Sequence, residues 1–425
     1  MLFVYLLIAV IFRKHPIVNI LSFIQVVSLG SVILIGLDDY SEDPYTFLNM
    51  VAITLLTSLF ILPWSNYHKI KKIKTSDEVG VNKIADVMLY VGGFVFVILL
   101  FVAVIVNLLV SDINTFKYED GASVDFFYKV LPFNVKFFIL AYSLYYLSYF
   151  FIPLHFYFSS KGDARRSKLC LLFSFNIILY GLTFFSRWTI ILYVLLFFVH
   201  WVIYSKLIPL SVRVKEKKVI KYFACFFLFI FFFITFSRFA DNSEYENRMS
   251  DRTYVHDATL YSLFDYLGKS NSNGLYQMNR YQGETFKGGF MLWTLQDMLS
   301  TIGITNKSNV TEMRDDMWGD KARSFTPFAV YTFYDVGFVM SFAIALLCFV
   351  FIRQKSLFIS FDKFIVTSLL IQLPLCSIFY SQMPVVVFCL FIYAFMKLYL
   401  YLRKISVRNS NTSPHLRLNS IDDKF

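Results

Sequence analysis

The chain is a succession of long apolar runs separated by short polar connectors. A helix that crosses a bilayer needs about 20 such residues, because in hydrocarbon only a helix or a closed barrel satisfies its own backbone. That rule marks candidate spans at Ile17–Leu37, Thr46–Trp64, Val87–Val110, Val135–Phe158, Leu169–Phe185, Trp188–Tyr204, Val219–Phe236, Phe325–Ile352, Phe364–Tyr380 and Pro384–Leu402. The run Met1–Phe12 lacks a basic leader and a small-residue cleavage site, so it reads as a short span rather than a removable signal. The expected fold is an all-α polytopic membrane bundle of about eleven transmembrane helices.

Composition excludes the alternatives. With 57% hydrophobic, 20% aromatic and only 16% charged residues, the chain has more apolar surface than one water-soluble interior can hide. The net charge of +11 would suggest nucleic acid in a soluble protein, but here the basic residues cluster in connectors, and no nucleic-acid partner is expected. Cys170, Cys225, Cys348, Cys376 and Cys389 lie in or beside apolar runs without CxxC spacing, so neither a disulfide framework nor a zinc site is expected.

Orientation follows from the connectors. Arg13 and Lys14; Lys69, Lys71, Lys72 and Lys74; Lys161, Arg165, Arg166 and Lys168; Arg213, Lys215, Lys217 and Lys218; Arg353 and Lys355; and Arg403 and Lys404 fall at every second connector. By the positive-inside rule these face the cytoplasm. The intervening ones carry Asp38, Asp39, Glu42 and Asp43, or Asp112, Glu119, Asp120 and Asp125, and face outward. The chain then divides into an N-terminal transmembrane bundle (1–236), a large periplasmic or extracellular loop (237–324), C-terminal transmembrane helices (325–402) and a cytoplasmic tail (403–425). Within the loop, one helix is expected from Ser250, with Leu260, Leu263, Phe264 and Leu267 on one face and Gly268 as its stop. A second is expected after Gly288 and Gly289, with Met291, Leu295, Met298, Leu299 and Ile302 at helical spacing before Gly303. Both read as helices lying on the membrane or over the bundle. No internal repeat is evident, which disfavours a transporter built from inverted halves.

No Walker loop, dinucleotide fingerprint, HExxH or GxSxG motif occurs. Arginine on the outer side is the conspicuous chemistry. Arg187 occupies the short outward turn FFSRWT, Arg238 the exit FSRF, and Arg252, Arg280 and Arg323 follow within the loop. An interfacial arginine is often a snorkelling anchor, but a guanidinium also grips phosphate bidentately and keeps its charge. Arg187 runs against the positive-inside trend in a turn too short to need an anchor. His256, four residues after Arg252, has the chemistry of a base toward a sugar hydroxyl, and a solvated polar face explains the pair equally simply. Asp335, inside an apolar run, reads as a base or as the ion-pair partner of an arginine. Tyr281 and Tyr331 are placed to stack on sugar rings, with an aromatic belt as the plainer reading.

Four stretches carry a family resemblance: FFSRWTIILYVLLFF around Arg187, the FSRF exit into the loop, the GETFKGG turn, and the re-entry SFTPFAVYTFYDVGF. In these and in its arrangement of spans the chain resembles the Wzy-type O-antigen and capsular repeat-unit polymerases. Arg252 and Gly268 also stand at that family's Arg-x15-Gly spacing.

The resemblance implies a GT-C-like membrane glycosyltransferase. Such enzymes transfer a growing glycan from its undecaprenyl diphosphate carrier to the non-reducing end of a new lipid-linked repeat unit, at the outer face of the bacterial plasma (inner) membrane. It implies lipid-linked donor and acceptor oligosaccharides as substrates, membrane lipid as surroundings, and a chain-length regulator and a flippase as partners. On this reading Arg187, Arg238, Arg252, Arg280 and Arg323 bind diphosphate, His256 or Asp335 is the base, and Tyr281 and Tyr331 contact sugar. No cofactor or metal is expected, since the donor carries its own leaving group and the loop offers only Asp315 and Asp316 as a carboxylate pair. An O-antigen ligase or a lipid-linked oligosaccharide flippase are the alternatives.

Overall fold

A computed structural model of the chain describes residues 1–36, 45–110, 116, 124–218, 221–222, 225, 229, 253–301, 303–318, 325–378 and 381–412. Among the described residues, seven helical stretches are by length and composition long and apolar enough to cross a membrane: Pro16–Leu34, Thr46–Lys69, Glu78–Leu109, Val135–Lys161, Arg187–Leu207, Phe328–Ile352 and Met383–Arg403. The chain is an all-α membrane protein. The helices in chain order are α1 (Leu2–Ile11), α2 (Pro16–Leu34), α3 (Thr46–Ile61), α4 (Glu78–Leu109), α5 (Val124–Val130), α6 (Val135–Leu144), α7 (Phe151–Lys161), α8 (Ala164–Ser174), α9 (Asn176–Thr183) and α10 (Arg187–Tyr204). After them come α11 (Ala258–Asn279), α12 (Gly289–Thr301), α13 (Val310–Trp318), α14 (Phe328–Ile352), α15 (Phe361–Leu370), α16 (Gln372–Leu375) and α17 (Met383–Thr412).

Two expected spans are divided. Leu169–Phe185 is covered by α8 and α9, which break at Phe175. Polar side chains take up the backbone there: Ser174 Oγ donates to the Leu171 carbonyl at 2.6 Å, and Asn176 Nδ2 donates to the Gly92 carbonyl of α4 at 3.1 Å. Phe364–Tyr380 is covered by α15 and the single turn α16, which contains Pro374. The expected span Val219–Phe236 lies almost wholly outside the described residues, and α1 is a short apolar helix of 10 residues.

The basic connectors meet at one end of the bundle. Strand β1 (Lys72–Lys74) pairs in parallel with β2 (Phe358–Ser360), joining the connectors after α3 and α14. Lys161 pairs with Glu78, Arg166 forks onto Asp86 at 2.9 and 3.0 Å, and Ser159 donates to Glu216 at 3.1 Å. His15 Nδ1 sits against the Ser65 carbonyl, bringing the first connector to the same end. Alternating charge in the sequence thus corresponds to a single basic end, with Arg187 at the far end of α10, about 27 Å away by helical rise.

Helices of the long loop dominate the opposite end. The first begins later than the sequence suggests, with Asp257 accepting from Leu260 N at 2.8 Å, and it runs through Gly268 to Asn279. Gly268 is a contact glycine rather than a stop, because a Cβ there would lie 2.9 Å from the Val32 nitrogen of α2. The polar run that follows finds partners in the bundle: Asn271 donates to Ser28 Oγ at 2.8 Å, and Asn279 bridges Asn49 and Thr46 at 2.8 Å each. The second loop helix is α12, as its spacing suggests, and Gly303 closes it at φ 78° with Ile304 N bonded to the Leu299 carbonyl at 2.9 Å.

Helix α14 is two legs joined at Gly337, where φ is 79° and ψ 170°. Phe333 stacks on Phe338 with centroids 4.4 Å apart and reaches Phe342 at 5.9 Å, although a straight helix would separate the latter pair by about 13 Å along its axis. The first leg folds back along the second, and its start at Phe328 packs edge-on against Phe60 near the basic end of α3. Only glycine adopts this backbone region without strain. Gly337→Ala is expected to lower stability by about 1–3 kcal/mol, the usual strain at such a position, although the nearest atoms to a Cβ lie 3.9 Å away. A thermal unfolding series in detergent checks it, and an unchanged midpoint would show that the fold-back is not held by this residue.

Candidate functional site

Arg187 is the first residue of α10, at the end of the bundle opposite the basic connectors, and only 5% of it is exposed. The preceding turn is tight: Phe185 has φ 48°, Ser186 N bonds the Gly181 carbonyl at 2.7 Å, and Thr189 Oγ1 bonds the Ser186 carbonyl at 2.9 Å. A cation at a helix N-terminus meets the positive end of the dipole, so the position reinforces rather than relieves local positive potential. The guanidinium carbon lies 4.9 Å from the centroid of the Tyr266 ring of α11. Burial, an aromatic face and the positive end of a helix dipole together form a place where an anion is favoured.

Directly below it opens an apolar groove of 1050 Å³. Its walls come from α1 and α2 (Leu6, Val10, Phe23), from α10 (Ile190, Val194) and from α11 (Leu267), and Arg13 lies at its other extremity. Ile190 and Ile191 of the lining are one turn along α10 from Arg187, while Leu263 and Leu267 flank Tyr266 on α11. The arginine therefore stands at the head of a groove that runs along the bundle toward the basic end.

Asp335 is elsewhere and differently employed. Its carboxylate is fully buried and accepts the N–H groups of Phe290 and Met291 at 2.9 Å each, while its carbonyl accepts from Gly288 N at 2.9 Å. These donors are the exposed amides of the first turn of α12, so Asp335 serves as the helix cap that α12 lacks in its own sequence. The expected arginine partner is replaced by backbone. In this structure the carboxylate is engaged as the cap of α12.

Around that cap the aromatics close a cluster. Tyr331 is 3% exposed and stacks on Phe290 at 4.0 Å, with Trp318 edge-on at 5.0 Å. In this structure its ring is packed within the cluster. Tyr281 is half-buried, packs edge-on against Tyr334 at 4.8 Å and directs its hydroxyl to the Phe333 carbonyl at 3.4 Å. Arg280 is exposed and lies 4.0 Å from the Tyr276 ring centroid. His256 is exposed, in an extended stretch before the Asp257 cap rather than on a helix, so the helical pairing with Arg252 does not hold at the histidine. That stretch is tied to the end of α2 by Tyr254 N donating to the Leu34 carbonyl at 3.0 Å. Arg238, Arg252 and Arg323 lie outside the described residues.

Sequence reasoning missed Tyr266 and the buried polar face of α11, where Gln277 is 1% exposed and neither amide atom has a protein partner. The signal was present as KSNSNGLYQMN, too polar for a lipid-facing helix and too long for a turn. Among the described residues no cluster of His, Cys, Asp and Glu is arranged to share a metal ion.

Removing the Asp335 carboxylate is expected to leave both α12 amides buried without acceptors, at about 1–3 kcal/mol each. Asp335→Ala should raise hydrogen exchange in residues 288–296 and lower the unfolding midpoint, with Asp335→Asn, which keeps one acceptor oxygen, in between; equal exchange in all three proteins would remove the cap from this account. Compared with family models, curated proteins and solved structures, the chain matches none of them.

Proposed function

We propose that this chain is a membrane glycosyltransferase of the Wzy type, polymerising undecaprenyl diphosphate-linked repeat units into O-antigen or capsular polysaccharide. The observation that carries the reading is Arg187, a buried guanidinium at the head of a 1050 Å³ apolar groove. A polyprenyl chain requires a long apolar channel, and its diphosphate requires fixed positive charge where the channel meets water. The groove, whose lining begins one turn along α10 from Arg187, and the Arg187 charge support this reading.

On this reading the basic end faces the cytoplasm, together with the C-terminal tail, and the loop helices α11 and α12 face the periplasm of a bacterial inner membrane. Added to the seven, α1, the expected span 219–236 and the broken pairs α8–α9 and α15–α16, each counted once, make up the expected total of about eleven helices. Chemically, an acceptor hydroxyl oxygen forms a bond to the anomeric carbon of the donor glycan as the bond to the diphosphate oxygen breaks. The hydroxyl proton passes to a base, and His256 is the exposed candidate. The departing diphosphate gains charge, and Arg187 stabilises that gain more strongly than the ground state. Asp335 acts through α12, holding the loop against the bundle. Arg238, Arg252 and Arg323 remain candidates for further diphosphate contacts, with Arg280 and Tyr281 at the loop surface.

The glycan of a deletion strain tests the reading: lipid-linked core bearing a single repeat is expected. Long chains left on the carrier would instead indicate a ligase, and loss of exported repeats a flippase. In complemented strains, Arg187→Ala is expected to reduce chain extension by about a hundredfold or more, the scale for losing a transition-state charge contact. Arg187→Lys should recover a fraction, since it keeps the charge but loses the fork. Polymer of normal length from a normally inserted Arg187→Ala protein would take Arg187 out of the site. His256→Ala is expected to lower the rate without changing membrane levels.

A further inference from the structure

A second cavity, of 590 Å³, lies at the basic end of the bundle, between α7, α8 and α10. Its walls are apolar, with Leu171, Phe175, Val194, Leu195, Phe197 and Phe198 in the lining. Polar groups are confined to one side. There His155 Nδ1 lies 3.0 Å from both the Ser167 carbonyl and Ser167 Oγ; the carbonyl can only accept, which favours the tautomer with its proton on Nδ1 and a lone pair at Nε2.

That nitrogen is 3.6 Å from Glu216 Oε1, beyond hydrogen-bond reach. His155 Nε2 and Glu216 Oε2 are both buried and have no hydrogen-bond partner. Glu216 Oε1 accepts only from Ser159 Oγ, at 3.1 Å, and Ser159 is itself bonded to Ser167 Oγ at 2.7 Å. Among the described residues, acceptors gather around a point to which no Lys or Arg is paired. Burial pushes the Glu216 carboxyl above its ordinary range, as expected of an anion without a counter-charge. Next to these groups in sequence, Lys168 and Lys215 line the same cavity with exposed side chains, so two positive charges stand at its mouth.

A complementary ligand must combine a compact cation with several N–H donors, an adjacent anion and an apolar tail. We propose that this cavity binds one molecule of phosphatidylethanolamine, whose ammonium donates to His155 Nε2 and Glu216, whose phosphate lies between Lys168 and Lys215, and whose acyl chains cover the apolar wall. Charge complementarity selects this lipid over its neighbours. Phosphatidylcholine has a cation of similar position but no N–H to donate, and phosphatidylglycerol leaves Glu216 without a cation while adding a negative charge. The proposal does not depend on the polymerase reading, since its polar groups His155, Ser159 and Glu216 are not in the groove near Arg187, although Val194, Leu195 and Phe198 line both cavities.

Native mass spectrometry of the full-length protein tests it, after exchange into equimolar phosphatidylethanolamine, its N-methyl and N,N-dimethyl derivatives, phosphatidylcholine and phosphatidylglycerol with matched acyl chains. Retention is expected to fall stepwise as N–H groups are lost, with phosphatidylethanolamine preferred over phosphatidylcholine by about tenfold or more. Glu216→Gln should bring that ratio near one. The double variant Lys168→Ala, Lys215→Ala should weaken all phospholipids while leaving the ratio in place. Equal retention of the ethanolamine and choline lipids, a preference for phosphatidylglycerol, or a full ethanolamine preference in folded Glu216→Gln would each overturn the proposal. The headgroup series on the unaltered protein decides the matter by itself if the Glu216 variant does not fold.

Discussion

The architecture at the outer end depends on one buried carboxylate. Asp335 sits at the turn of the fold-back in α14 and accepts two amides of α12, 2.9 Å each, from residues 45 and 44 positions away in sequence. Without an acceptor, the start of α12 would place polar backbone among Phe286, Phe290, Trp318 and Tyr334, where water has little access. With it, the loop becomes a packed layer fixed to a bundle helix. Gly337 permits the turn that brings the carboxylate to that point.

The loop layer in turn completes the site around Arg187. Helix α11 comes close to α2 because Gly268 removes the side chain that would hold them apart, and this approach sets Tyr266 over the guanidinium. Asn271 and Asn279 keep the polar run of α11 inside the bundle by pairing with Ser28, Asn49 and Thr46. Polar residues at that depth are tolerated because neighbouring helices satisfy them, the condition for any interruption of apolar packing in a membrane protein.

The two ends of the bundle solve opposite electrostatic problems. The basic end disperses lysine and arginine charge through Glu78, Asp86 and Asp163, in part-exposed pairs that are individually weak. The other end holds the buried guanidinium of Arg187 against an aromatic face at a helix start. Dispersed charge suits orientation in a membrane, whereas concentrated charge in a closed setting suits recognition of an anion.

Hydropathy and length alone determined that the chain is helical and built for a membrane, since no other structure satisfies the backbone of such runs. The alternation of basic connectors was equally legible, and in the fold those connectors share one end because consecutive helices must alternate direction. Arg187 stood out for its sign and its place in a short turn, and α12 for its glycines and its period. The sequence did not reveal that Gly268 is a point of helix contact, that Tyr331 is packing, or that Asp335 is a cap. These roles arise from partners tens or hundreds of residues away, as in Asn271 with Ser28, 243 positions apart. Periodicity records which face of a helix is apolar, but only the tertiary structure decides what meets it, because a buried polar atom is assigned its role by the one partner that satisfies it.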